Sequence, residues 1–101
     1  MPLSPQVFQI LLSLSDGPLH GYAIIQDVKN RTDGEIQLTP STLYDALARL
    51  VDQRWIEEIA SDGPRRRTYA VTSRGREATT KEAQRLSRLI AAARAKNVLA
   101  R

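Results

Sequence analysis

Apolar residues recur with a helical period three times in the first half of the chain, and then the period changes. Ser4-Pro5 pairs a capping residue with proline at the first helical position. Phe8, Leu11 and Leu12, with Val7 and Leu14, follow on one face until Asp16-Gly17-Pro18 stops the helix. A second helix is predicted to begin near Leu19-His20-Gly21-Tyr22, to bury Ile24, Ile25 and Val28, and to end before Asp33-Gly34. Thr39-Pro40 repeats the cap-then-proline device. Leu43, Ala46, Leu47, Leu50 and Val51 then stand at i, i+3, i+4, i+7 and i+8, which predicts a third helix with one apolar face.

Alternation follows. WIEEIA (55–60) and RTYAVT (67–72) read as two strands joined by the turn-forming SDGPRR, a hairpin with a basic tip. Thr72 or Ser73 caps a last helix expected to run to about Asn97, roughly 35 Å long. On it Ala83, Leu86, Ile90 and Ala93 repeat at spacings of three, four and three, flanked by Leu89 and Ala92, a coiled-coil-like seam. The fold class is therefore mainly α with a small β-hairpin: a winged helix-turn-helix, three helices plus a two-stranded wing, followed by a long C-terminal dimerisation helix. Residues 1–72 are expected to form the winged helix-turn-helix unit and 73–101 the C-terminal helix, within one structural unit.

With 101 residues the chain has the length of one domain. It has no cysteine, no positively charged leader and no apolar run long enough to span a bilayer, so the expected location is the cytoplasm, with no membrane partner. Its net charge of +4 is unevenly divided. Residues 1–60 carry four Lys/Arg against eight Asp/Glu, a balance of −4; residues 61–101 carry eleven against three, a balance of +8. A basic second half points to a polyanionic partner.

Catalysis finds little support. The single histidine, His20, stands at a helix start, where capping is its expected role, and no thiol, phosphate loop or metal-ligand motif accompanies it. Neither an enzyme nor a cofactor or metal site is expected. The outward face of the third helix offers Ser41, Asp45, Ala48, Arg49 and Asp52, with Thr42 and Tyr44 on its flanks. Hydroxyls and unpaired N–H groups at a helix start donate to phosphate, and Arg49, the one cation on that face, is expected to read guanine or anchor phosphate, so that Ser41, Thr42, Tyr44 and Arg49 orient or read the major groove of DNA. Arg65, Arg66 and Arg67 on the hairpin have no helix face across which to spread their charge, so they point to a phosphate backbone. The rival class is a protein-interaction scaffold, favoured by the acidic tint that Asp45 and Asp52 give the third helix.

The stretches GPLHGYAIIQDV (17–28), LTPSTLYDALARL (38–50) and GPRRRTYAVTSRGRE (63–77) resemble, in order and spacing, the PadR family of bacterial transcriptional regulators. The resemblance covers about residues 7 to 78. It implies a winged helix-turn-helix repressor that dimerises through its C-terminal helix and binds palindromic double-stranded DNA. In several members a small molecule releases the DNA, which makes an effector a further expected partner. By resemblance the DNA contacts are Tyr22, Ser41, Thr42, Tyr44 and the wing residues Arg65 to Arg67. The chain departs from the pattern at Asp45, where many members have proline, at Arg54, where many have glycine, and in its short C-terminal part. Dimerisation is expected through Phe8, Ala83, Leu86, Leu89, Ile90 and Ala93, with a twofold axis that sets recognition helices about 34 Å apart.

Overall fold

The computed structural model describes residues 2–59 and 67–100. Helices α1 (Pro5–Leu14), α2 (Gly21–Arg31) and α3 (Pro40–Asp52) form a bundle. Strand β1 (Leu19–His20) precedes α2, strands β2 (Ile56–Ile59) and β3 (Thr68–Val71) follow α3, and α4 (Ser73–Ala95) closes the chain. The sheet is antiparallel with order β1-β3-β2.

All four helices start on a side-chain cap. Ser4 Oγ accepts from Val7 N–H at 3.2 Å, Thr39 Oγ1 from Thr42 at 3.2 Å, Thr72 Oγ1 from Gly75 at 3.1 Å, and His20 Nδ1 from Ala23 at 3.3 Å. The capping role expected of His20 is thus the one it has.

Leu19 and His20 depart from the expected helix start. They extend and pair with β3, Leu19 opposite Tyr69 and His20 opposite Thr68, so the sheet has a third strand and the helix begins at Gly21. The extended backbone that a cap residue needs also suits an edge strand, and His20 serves both. Trp55, expected in the strand, instead belongs to the turn that precedes Ile56. Helix α4 ends at Ala95 rather than Asn97, because Asn97 turns to φ 61° and closes the helix, with Val98 N–H donating to the Ala93 carbonyl at 2.9 Å.

Ile10, Leu11 and Leu14 from α1, Ile24 and Val28 from α2, Leu43, Leu47 and Leu50 from α3, and Ile56 make the fully buried core. Each contributes about 1.5–3 kcal/mol by leaving water. Arg31 locks α2 to α1: it donates to the Gln9 side chain and carbonyl, both at 2.9 Å, to Ser13 Oγ at 3.1 Å, and pairs with Asp27 at 2.8 Å.

The exit from α3 forms a tight reversal. Arg54 adopts φ 62°, and Trp55 N–H reaches back to the Leu50 carbonyl at 3.0 Å. Thr72 fastens α4 to this turn, its hydroxyl donating to the Arg54 carbonyl at 2.7 Å. From there α4 packs against α1 and β3 over its first turns, burying Gly75, Thr79 and Glu82, and then runs outward. The molecule measures 51 × 28 × 21 Å, and its radius of gyration, 14.9 Å, exceeds the roughly 13 Å of a compact domain this size.

Candidate nucleic-acid interface

The apolar stripe of α3 faces the core, which leaves Ser41, Thr42, Tyr44, Asp45, Ala48, Arg49 and Asp52 exposed. The first turn is organised by its cap. Thr39 Oγ1 accepts from Thr42 N–H and donates to Thr42 Oγ1 at 3.0 Å, so the Thr42 hydroxyl keeps its own proton for an outside acceptor.

Tyr44 leaves the helix toward the start of α2. A β-carbon at Gly21 would lie 2.5 Å from the Tyr44 hydroxyl oxygen, so glycine is what lets the ring settle there. The next residue, Tyr22, is 66 % exposed, and Tyr44 is 41 % exposed. Two phenol rings therefore share the surface where the starts of α2 and α3 meet. Tyr69 of β3 connects this surface to the wing. Burial pushes its hydroxyl pKa above the usual tyrosine value, Glu58 pushes it the same way, and Arg67 opposes both. Tyr44 adds a small push in the same direction as Glu58.

Arg67 is exposed and lies with its Nε 3.7 Å from a Glu58 carboxylate oxygen. Arg65 and Arg66 lie outside the described residues. Arg49 stands apart from the tyrosines: with Pro2, Leu3, Val7, Gln53 and Trp55 it borders a cleft of about 300 Å³ on the other flank of α3.

The residues expected to dimerise fall on the surface of α1 and α4. Leu89 and Ile90 are 54 % and 43 % exposed, Ala83 is exposed, and Phe8, Leu86 and Ala93 are half-buried. Among the described residues of α4, none beyond Glu82 is buried by its own subunit. A second cleft, about 550 Å³, lies between Pro2, Leu3, Trp55 and the α4 residues Arg74, Ala78 and Arg88.

Sequence reasoning missed Glu82, which is only 5 % exposed. Its carboxylate accepts from Arg85 at 3.0 and 2.6 Å, and that hydrogen bond, with one from the Leu3 backbone, holds its pKa below the usual glutamate value. The only signal in the sequence was the i,i+3 acid-base spacing, which solvated helix faces share.

The model of the transcriptional regulator PadR-like family matches residues 10–81, most of the chain and every element from the end of α1 to the middle of α4. The chain belongs to the PadR-like family.

A 37.1 kDa protein in transposon TN4556 of Streptomyces fradiae is 40 % identical over 80 residues, 79 % of this chain; the chain spans 22 % of that protein's length. A PadR family transcription regulator from Clostridium difficile superposes with a TM-score of 0.72 at 25 % identity, over 92 % of this chain and 97 % of its own. Bacillus subtilis PadR, solved in complex with operator DNA, shares the fold with a TM-score of 0.68 at 23 % identity, over 77 % of this chain and 47 % of its own. This PadR-like chain is thus a mainly helical winged-helix protein with a three-stranded sheet and a long last helix. Among its described residues, no group of three or more His, Cys, Asp or Glu is arranged to hold a metal ion, and no helix is long and apolar enough to cross a membrane.

Proposed function

We propose that this PadR-like regulator is a homodimer that binds a palindromic operator in double-stranded DNA and represses transcription. In this reading the first turn of α3 enters the major groove. Ser41, Thr42, Tyr44 and the neighbouring Tyr22 bind phosphate and base edges there, and Arg65, Arg66 and Arg67 carry the wing onto the backbone. Arg49, on the far flank of α3, anchors the phosphate strand on that side. The observation that supports the reading is the exposure of Ser41, Thr42 and Tyr44 at the start of α3, with Tyr44 packed against Gly21, the residue before the exposed Tyr22.

Dimerisation is supported by the apolar face of α4. Leu89 and Ile90 are exposed, Leu86 and Ala93 on the same helix are half-buried, and Phe8 of α1 is half-buried too. A partner's α4 would bury this seam and set the two recognition helices one duplex turn apart. If a small molecule releases the DNA, the cleft beside Trp55 is the candidate place, lined by Pro2, Leu3, Trp55 and Ala78 and otherwise by charged residues of α4.

The test is a footprint on DNA upstream of the gene for this protein and its neighbours, paired with sedimentation of the free protein. A protected site with twofold symmetry, occupied by a dimer, is expected. Equal affinity for every duplex, or early elution from heparin as a protein scaffold would show, rejects the reading. A reporter placed behind the footprinted site should fall when the protein is expressed.

A further inference from the structure

Glu58 is the one carboxylate within 4.0 Å of an expected DNA-contacting arginine among the described residues, and the DNA-binding reading above gives it no role. It lies opposite Tyr69 in the β2–β3 ladder, next to the pair Ile59 and Thr68. Arg67 immediately precedes β3, so its guanidinium returns along the same face toward Glu58. Strand alternation sends the adjacent Glu57 to the other face of the sheet, although both glutamates are exposed.

We infer that Glu58 is an internal competitor for the wing: its carboxylate occupies Arg67 in the free protein and must be displaced before that guanidinium can neutralise a phosphate. The inference rests on the DNA-binding reading above and adds a residue that weakens attachment rather than strengthening it. The geometry suits an exchangeable partner. At 3.7 Å, with side chains 66 % and 48 % exposed, the pair is loose and wet, so phosphate can replace the carboxylate without stranding a buried charge. The displaced carboxylate stays beside Arg67 and continues to repel a phosphate held there. Both effects oppose binding, and neither depends on base sequence. Glu58 therefore keeps the grip of the wing on arbitrary duplex weak, so that residence depends on the contacts of α3.

The test uses the full-length protein and a fluorescein-labelled duplex of random sequence, titrated over a range of salt. Glu58→Gln should tighten binding about three- to tenfold at low salt. It should also steepen the logarithmic salt dependence by up to about one phosphate equivalent. Glu57→Gln makes the same change of charge on the opposite face and should have a much smaller effect. In an Arg67→Gln background most of the gain from Glu58→Gln should vanish. Equal effects at Glu57 and Glu58, or no tightening at Glu58, overturn the inference while a weakened Arg67→Gln leaves the wing reading intact. Arg67→Gln with unchanged affinity and salt slope overturns the wing reading and the inference together. Glu58→Thr, a good strand residue, repeats the measurement if the glutamine variant melts early.

Discussion

The carbonyl oxygen of Trp55 presses on Gly75 so closely that a β-carbon there would collide with it, and would also come within 2.8 Å of Val71. This contact packs the first turn of α4 against the turn that precedes β2. Because the obstacle is backbone, it cannot rotate away. Gly75→Ala should destabilise the fold by about 1–3 kcal/mol, read as a lower denaturant midpoint at fixed protein concentration. Gly17→Ala, at a position with open space around it but positive φ, tests strain without collision and should cost less.

Arg54 occupies a left-handed conformation, φ 62°, that costs most side chains energy. Its carbonyl, not its side chain, receives the Thr72 hydroxyl. Arg54→Gly should therefore stabilise the protein by about 0.5–1 kcal/mol, the relief of strain exceeding the extra entropy of the unfolded chain. Thermal unfolding at fixed concentration checks this.

Tyr22 and Tyr44 both expose their rings, with Tyr44 seated against Gly21. Removing a hydroxyl alone should cost DNA binding and not folding. Tyr22→Phe and Tyr44→Phe should each lower operator affinity about five- to tenfold, as expected for the loss of one ordinary hydrogen bond, while melting curves stay unchanged.

Leu89 and Ile90 are exposed on a helix whose seam continues past the covering elements of its own subunit. Leu89→Glu should give a monomer in sedimentation and lower operator affinity by about a hundredfold or more, because two half-sites no longer bind together.

Acid should weaken the fold through two carboxylates. Arg85 and the Leu3 backbone hold the Glu82 pKa below its ordinary 4.5, and hydrogen bonds from Ser13 and Arg31 hold Asp27 below 3.8. A depressed folded-state pKa means the unfolded chain takes up protons first. The stabilisation is therefore complete above the ordinary values and is lost as pH falls through the lower, folded ones. Denaturant midpoints should drop as pH falls below about 4.5, and Glu82→Gln should flatten that acid limb.

How legible all this was differs residue by residue. Ser4, Thr39 and Thr72 could be read as caps because a cap satisfies N–H groups only two or three residues away. The outward set of α3 was equally legible, since burying Leu43, Ala46, Leu47 and Leu50 leaves no choice about what faces out. Leu19 and His20 were not legible as a strand. Two residues carry no period, and their partner lies about fifty positions downstream. Glu82 looked like any solvated helix glutamate until Leu3 and Arg85 closed over it.

By itself the sequence determined where helices start, which face of each is apolar, how charge divides between the halves, and that the last helix carries an unspent seam. Those properties depend on neighbours within a turn or two. Only the tertiary structure decided that Tyr44 rests on Gly21, that Arg67 lies beside Glu58, that Gly75 must be bare under Trp55, and that Arg49 sits on the far flank of α3. Each depends on the close approach of residues from separate elements, and local spacing does not encode where a packed chain brings them.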